Sequence, residues 1–188
     1  MKFSAVILAG GNSSRMGRDK AFLETGGQTL LARQIQLVRT AGAAEVFISD
    51  RPVTDYPAQG CQVLLDQFAG AGPLAGIERA LVAATSPLLL VLAVDLPEMN
   101  ATLIRALAAN CSDQLGAVPC LGEDIEPLAA FYPKAAHGLV ERLLREESNA
   151  ATTFARHCAH SGLVKFIQAS RDQARYFRNW NCPAEVVP

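Results

Sequence analysis

The chain has 188 residues, of which 50% are hydrophobic and 19% are charged, with a formal net charge of −1. This composition excludes a disordered chain, and the near-neutral charge excludes a global basic field that would attract nucleic acid or anionic lipid. The longest apolar run, residues 88–94, is far too short to cross a bilayer. No secretory pattern opens the sequence, so we expect a cytoplasmic protein that binds neither nucleic acid nor membrane and forms one domain over residues 1–188.

In the first part of the chain, short apolar runs alternate with patterns of helical spacing. The predicted strands are residues 3–8, 45–49, 62–65 and 88–94. The predicted helices are residues 29–40, 74–84 and 101–109, the last opened by Asn100 as N-cap. Residues 88–94 are apolar throughout, as expected of a central parallel strand that is covered on both faces.

The second part of the chain is less regular. Residues 117–121 and 128–132 are predicted strands joined by an acidic turn at 122–126. Residues 135–146 and 152–159 are predicted helices, and residues 163–169 form a late strand. Alternation of strands and helices predicts an α/β fold, a three-layer α/β/α sandwich around a mostly parallel, Rossmann-like sheet.

A glycine-rich and cationic stretch, LAGGNSSRMGRDK, spans residues 8–20 and follows the first strand. In open α/β sheets, ligands bind at the carboxyl ends of the strands. Gly10 and Gly11 allow backbone amides to approach a phosphate, while Arg15 and Lys20 can neutralise its charge. The spacing fits neither a Walker A loop nor a Gly-x-Gly-x-x-Gly fingerprint. The stretch therefore predicts a triphosphate-binding loop of another kind.

Two carboxylates follow predicted strands and are expected at the same edge of the sheet. Asp95 comes directly after the most apolar strand and is predicted to hold Mg²⁺, with a turn or helix-capping role as the alternative. Asp66 ends the strand QVLLD and either faces the same site or is a simple loop aspartate. The segment GAGPLAGI at 70–77 predicts a tight turn that opens a helix, its glycines serving packing or ligand contact.

The cysteines argue against a disulfide framework and against a thiolate metal site. There are five, an odd number, and no two form a Cys-x-x-Cys pair. His157 and His160 flank Cys158, but no further cluster of ligands accompanies them. We expect reduced cysteines that serve as small, partly buried residues.

Four segments together resemble the molybdenum cofactor guanylyltransferase family. They are the glycine-rich stretch at 8–20, GPLAGI at 72–77, VDLP at 94–97 and FRNWNCPAE at 177–185. The resemblance implies a nucleotide-diphospho-sugar-transferase-like fold of the nucleotidyltransferase type. It implies that the terminal phosphate of molybdenum-molybdopterin attacks the α-phosphorus of GTP, releases pyrophosphate and forms the guanine dinucleotide cofactor. Transient cofactor-delivery proteins are further expected partners.

The resemblance also assigns roles to single residues. Lys20 meets the phosphates, Asp95 holds Mg²⁺, and Asp66 contacts the guanine nucleotide. Asn179 and Asn181 match an asparagine pair near the pterin and the reaction centre. Our choice for the contact to the leaving pyrophosphate is Arg15, which joins Lys20 and Asp95 as a predicted catalytic residue. The predicted nucleotide-binding set is Leu8, Ala9, Gly10, Gly11, Ser13, Lys20, Ser49, Asp66 and Asp95.

The chain departs from the family pattern at several positions. Where the family commonly has Asn after its second strand, this chain has ISDR, so Ser49 or Asp50 would have to replace that contact. Cys182 stands in place of a Thr. Trp180, between the two asparagines, either packs in the core or covers the pterin, and packing is favoured.

Four other functions compete with this interpretation. A CTP-dependent molybdenum cofactor cytidylyltransferase usually shows Leu-Ala-Ala-Gly, whereas the second glycine here leaves room for a purine. A sugar-phosphate or methylerythritol-phosphate nucleotidyltransferase would not explain Asn179 and Asn181. A non-catalytic nucleotide sensor or cofactor chaperone fits less well because Lys20 and Asp95 are both present, and a purely structural domain leaves the cationic loop unexplained.

Overall fold

The structure is a computed structural model that describes residues 2–9, 20–50, 60–68 and 70–180. Within these ranges the chain forms strands β1–β10 and helices α1–α5. In chain order they are β1 (Phe3–Leu8), β2 (Glu24–Thr25), β3 (Gln28–Thr29), α1 (Leu30–Ala41), β4 (Ala43–Asp50), β5 (Gln62–Leu65), α2 (Pro73–Ala83), β6 (Leu88–Ala93), α3 (Ala101–Ala108), β7 (Gly116–Leu121), β8 (Asp124–Ile125), β9 (Ala129–Pro133), α4 (His137–Arg145), α5 (Ala151–His160) and β10 (Val164–Gln168).

Eight strands form one sheet in the order β10-β7-β9-β6-β1-β4-β5, with β8 added to β7. The pairs β6–β1, β1–β4, β4–β5 and β10–β7 are parallel, whereas β9 runs antiparallel to both of its neighbours. The prediction of a mostly parallel sheet is confirmed. The antiparallel strand follows from the short connection before it, because parallel neighbours need a crossover of about a dozen residues or more.

The helices cover both faces of the sheet, as a three-layer sandwich requires. Leu88, Leu90 and Leu92 of β6 pack in the core beneath α1 and α3. Leu89 and Val91 of the same strand pack in the second core, with α2, α4 and α5. All six residues of β6 are buried. Both faces of this strand are covered, which explains its unbroken apolar sequence.

Local signals explain where several elements begin and end. The Thr29 side chain accepts a hydrogen bond from the Ala32 amide at the start of α1, and Gly42 ends that helix in the left-handed region at φ 109°. The side chain of Asn100 accepts from the Leu103 amide at the start of α3, as predicted. No helix in the described ranges is both long and apolar enough to cross a membrane.

Several features differ from the predicted elements, among them β8, which lies inside the predicted acidic turn at 122–126. A small hairpin of β2 and β3 follows the glycine-rich stretch, and a 3-10 helix at Arg171–Phe177 follows the last strand. The helix predicted at 135–146 is divided into a 3-10 turn at Lys134–Ala136 and α4. These elements are too short to produce a hydrophobic period that the sequence could reveal.

Candidate functional site

The carboxyl ends of β1, β4 and β6 meet at one edge of the sheet, called the rim below. Leu8 is in register with Ser49 on one side and with Ala93 on the other. Beyond the strands, the Ala9 amide donates to the Ser49 carbonyl at 3.1 Å and the Val94 amide donates to the Leu8 carbonyl at 3.2 Å. The predicted nucleotide residues Leu8, Ala9 and Ser49 therefore lie side by side.

The path of the chain creates a crevice at this rim. From β1 it proceeds outward to β4 and β5, and then returns to β6 on the opposite side of β1. Where the direction of winding reverses, the connections leave a gap above the carboxyl ends of the two strands, and ligands bind there in open α/β sheets. The gap between β1 and β6 is the position from which the glycine-rich stretch departs.

Lys20 and Asp95 form an ion pair in this crevice. Lys20 Nζ donates to Asp95 Oδ2 at 2.8 Å, although the two residues are 75 positions apart in the chain. The side chains are only 19% and 20% exposed, so both charges are partly shielded from water. The structure thus brings together a cation and a carboxylate that the sequence predicted for phosphate and metal binding.

A second polar pair lies further along the rim. Ser49, buried at the end of β4, donates from Oγ to Oδ1 of Asp66 at 3.1 Å. Asp66 follows β5, which is the neighbour of β4 in the sheet. The Ser49 hydroxyl therefore orients a carboxylate that the sequence predicted to contact the nucleotide.

The first turn of α2 packs directly onto these strand ends. Gly72 caps the helix at φ 62°, a positive φ that suits glycine, and Pro73 follows at the first helical position. A Cβ on Gly76 would lie 2.0 Å from Ser49 Oγ and 2.9 Å from Leu8 Cδ2. The turn predicted at 70–77 is thus present, and Gly76 has a packing role.

Residues 178–180 are anchored to the same site through the backbone of Trp180. After the 3-10 helix, whose Phe177 is buried, the Trp180 amide donates to the Asp95 carbonyl at 3.0 Å. Trp180 is partly buried and packs against the core on the α1 and α3 side of the sheet. This is the packing role that the sequence favoured.

A cavity of about 330 Å³ lies beside Asp95 at the rim and is called the rim cavity below. The residues that line it are Ala93, Asp95, Leu96, Glu126, Pro127, Leu128, Ala151, Thr152 and Asn179. The predicted pterin residue Asn179 and the predicted metal ligand Asp95 thus share one cavity. Its size is within the range of small-molecule sites, which are commonly about 300–1,000 Å³.

Glu126 is a residue of this site that sequence reasoning missed. Its backbone stands just before β9, and that strand runs antiparallel to β6, so it begins at the rim. Burial, together with the nearby Asp124 carboxylate, raises the pKa of the Glu126 carboxyl above its ordinary value. The signal in the sequence was the position of Glu126 at the end of the acidic turn, two residues before the predicted strand at 128–132.

Several predicted site residues lie outside the described residues: Gly10, Gly11, Ser13, Arg15 and Asn181. Among the residues that are described, no group of three or more His, Cys, Asp or Glu side chains is arranged to hold a metal ion. The four cysteines in this part of the chain are free thiols, and burial raises the pKa of Cys158 to about 12. The described residues therefore hold no ready-made cluster of metal ligands, and the buried Cys158 is not an activated thiol.

Comparisons with known proteins find one family model and several named relatives. Residues 5–161 match the family model of the MobA-like NTP transferase domain. A relative from Opitutus terrae, named probable molybdenum cofactor guanylyltransferase, is 36% identical over 97% of this chain and 92% of its own length. Another from Syntrophotalea carbinolica, named molybdenum cofactor guanylyltransferase, is 33% identical over 94% of this chain and 82% of its own length.

Solved structures share the fold at lower sequence identity. The molybdopterin-guanine dinucleotide biosynthesis protein A of Archaeoglobus fulgidus has a TM-score of 0.74 at 20% identity, covering 99% of this chain and 95% of that one. The 2-C-methyl-D-erythritol 4-phosphate cytidylyltransferase of Thermus thermophilus has a TM-score of 0.72 at 22% identity, covering 96% and 94%. At these identities the two structures establish the nucleotidyltransferase fold alone.

Proposed function

We propose a function from one premise: this chain belongs to the MobA-like NTP transferase family and is a nucleotidyltransferase. In this proposal it transfers GMP from GTP to the terminal phosphate of molybdenum-molybdopterin. A phosphate oxygen of the acceptor forms a bond to the α-phosphorus of GTP. The bond from that phosphorus to the bridging oxygen of the β-phosphate breaks, and pyrophosphate leaves with the electron pair. The product is the guanine dinucleotide form of the cofactor.

One observation carries the proposal: the Lys20–Asp95 pair, 2.8 Å long, at the rim beside a cavity that Asn179 also lines. A nucleotidyltransferase must hold a triphosphate and a second phosphate next to each other. The pair offers a cation for phosphate charge and a carboxylate for a metal ion within one crevice. Relatives that are 33% and 36% identical over nearly the whole chain are named for guanylyl transfer and for the molybdenum cofactor, which supports this choice of substrates.

The residues at the rim suit a reaction in which positioning and charge stabilisation do most of the work. The attacking phosphate is already anionic, so no side chain has to remove a proton or form a covalent intermediate. Lys20 would leave Asp95 for the incoming triphosphate, and Arg15 would contact the leaving pyrophosphate. The Ser49 hydroxyl would orient the Asp66 carboxylate toward the nucleotide, and the backbone amides after β1 would donate hydrogen bonds to the phosphates.

The residues at the rim fit Mg²⁺, which we propose as the cofactor. Mg²⁺ is commonly held by one or two carboxylates together with substrate phosphates and waters, and Asp95 is a partly exposed carboxylate in the crevice. When bound, the ion would neutralise charge that develops on the phosphates. Asp95 would be its protein ligand, while Lys20 would move to the phosphate oxygens.

Nucleotide selectivity is the sharpest test of the substrate. We expect GTP with Mg²⁺ to raise the unfolding temperature of the protein, and CTP, ATP and UTP to raise it much less. A preference for CTP would favour a cytidylyltransferase, the activity in the name of one protein of the same fold. Release of pyrophosphate that requires both GTP and molybdenum-molybdopterin completes the test.

Two variants test the roles of the ion pair. Asp95→Ala is expected to stay folded and to lose metal-dependent turnover, whereas full activity would remove Asp95 from the mechanism. Lys20→Ala is expected to weaken GTP binding measured by calorimetry. The matched control is Lys165→Ala, which removes the same charge from an exposed position on β10, at the far end of the sheet. If Lys20→Ala and Lys165→Ala bind GTP equally well, Lys20 does not contact the triphosphate.

A further inference from the structure

Glu126 is held rigidly at the rim cavity by its backbone. Its amide donates to the Pro119 carbonyl at 2.9 Å, and its carbonyl accepts from the Ala129 amide at 3.2 Å. These bonds tie the residue to β7 on one side and to the start of β9 on the other. Glu126 therefore lines the cavity from a fixed position between two strands of the sheet.

The carboxylate of Glu126 has no partner of its own in the part of the chain that is described. It is half-buried, yet no hydrogen bond or ion pair offsets the loss of water, and Asp124 adds like charge nearby. A charge in such surroundings is costly unless donors satisfy it. A ligand that brings N–H donors into the cavity would recover this cost.

The charges around the cavity indicate which part of a ligand would meet Glu126. A phosphate is anionic and would be repelled by an unpaired carboxylate. A pterin ring, in contrast, presents a ring N–H and a 2-amino group side by side, and one carboxylate can accept from both. Asp95 and Asn179 line the same cavity, so one ligand can reach the reaction centre and Glu126 together.

We infer that Glu126 binds the pterin ring of the acceptor, accepting hydrogen bonds from its ring N–H and its 2-amino group. This inference rests on the proposed function, because it takes molybdopterin to be the acceptor. It makes Glu126 a determinant of acceptor specificity: pterins that carry these two donors bind, and analogues without them leave the carboxylate unsatisfied.

Steady-state transfer with GTP, Mg²⁺ and molybdenum-molybdopterin tests the inference through the KM for the acceptor. Glu126→Ala is expected to raise that KM about 10- to 100-fold, since a hydrogen bond to a charged group is lost in a shielded site. Glu126→Gln is expected to raise it less, because the amide oxygen keeps one acceptor. The dissociation constant for GTP and the Mg²⁺ concentration for half-maximal rate are expected to stay unchanged.

Asp124→Asn is the matched control. It removes one negative charge from an exposed side chain that is two residues from Glu126 in the sequence and does not line the cavity. Its KM for the acceptor is expected to stay close to the wild-type value. Glu126→Gln is nearly isosteric, and its unfolding temperature shows whether the variant is folded.

Three results would overturn the inference. The first is an unchanged KM for the acceptor in folded Glu126→Ala, with active wild-type protein alongside. The second is a raised Mg²⁺ requirement, which would make Glu126 a metal ligand, and the third is weakened GTP binding. Wild-type protein that fails to modify molybdopterin would refute the proposed function and the inference with it, and this outcome is seen before any variant is compared.

Discussion

Replacing Gly76 with alanine tests whether α2 must approach the rim as closely as the structure has it. The new Cβ would lie 2.0 Å from Ser49 Oγ, 2.7 Å from Ser49 Cβ and 2.9 Å from Leu8 Cδ2. The leucine methyl is the end of a flexible side chain and can move. Ser49 Cβ is attached to the backbone of β4 and cannot rotate away, and Ser49 Oγ donates a hydrogen bond to the Asp66 carboxylate. The first turn of α2 must therefore move away from the strand.

The expected cost follows from two opposing effects. Overpacking of a buried site costs about 1–3 kcal/mol, and a separation of 2.0 Å places Gly76→Ala at the upper end of that range. Alanine is favoured over glycine inside a helix by up to about 1 kcal/mol. We therefore expect a net loss of about 2 kcal/mol in the free energy of unfolding. In a chain of this length that lowers the unfolding temperature by about 4–8 °C.

Urea denaturation of Gly76→Ala and of Gly138→Ala measures this difference. Gly138 is also helical, in α4, but a Cβ there would meet no other atom within 4 Å, so its replacement is expected to be neutral or stabilising. GTP affinity is expected to fall in Gly76→Ala alone, because Ser49 and Asp66 are displaced. Adding Ser49→Gly to Gly76→Ala removes the two Ser49 atoms in conflict, and the double change is expected to cost less than the sum of the two single changes. Equal stability of the two alanine variants would refute the close approach.

Two further predictions concern ionisable groups. Burial and Asp124 raise the pKa of Glu126 in the folded state above its pKa in the unfolded state. Between these two pKa values the folded state binds more protons than the unfolded state. The free energy of unfolding therefore falls as the pH rises through this range. Glu126→Gln is therefore expected to gain unfolding temperature relative to wild type at pH 7, with the gain shrinking toward pH 4; a gain independent of pH would contradict the assignment. Burial raises the pKa of Cys111 to about 11 and that of Cys158 to about 12, so at pH 8 about one Cys111 thiol in a thousand, and fewer of Cys158, are thiolate. Iodoacetamide is expected to spare both in the folded protein and to modify both in urea, as peptide mass spectrometry would show; rapid alkylation of folded Cys111 would contradict its burial.

The layers of the fold could be predicted because each depends on a pattern that is local in the chain. The strands at β1 and β5 match the predicted residues at both ends, and β6 matches within one residue. An unbroken apolar run of strand length with turn residues beyond it favours a strand covered on both faces, because a buried helix would be longer. Asn100 marked the start of α3 for the same local reason, since a capping side chain bonds an amide three residues on.

Part of the candidate site could also be anticipated from the sequence. Lys20 and Asp95 each follow a predicted strand, and parallel strands in one sheet direct their carboxyl ends to one edge. The fold class and the strand positions predicted a shared edge for these two residues, but not the ion pair that they form there. The same reasoning placed Asp66 at this edge, whereas Ser49 was predicted from the family resemblance, and neither indicated that the Ser49 hydroxyl holds the Asp66 carboxylate.

What the sequence determined by itself is the order of the layers and the edge at which charged groups collect, because hydrophobic period and chain direction are properties of short segments. Tertiary structure alone decided that Gly76 rests on Ser49, that Trp180 bonds the backbone of Asp95, and that Glu126 faces the same cavity as Asn179. These contacts join residues 27 or more positions apart. They depend on how closely two packed elements approach, and that distance is set by all the side chains between them.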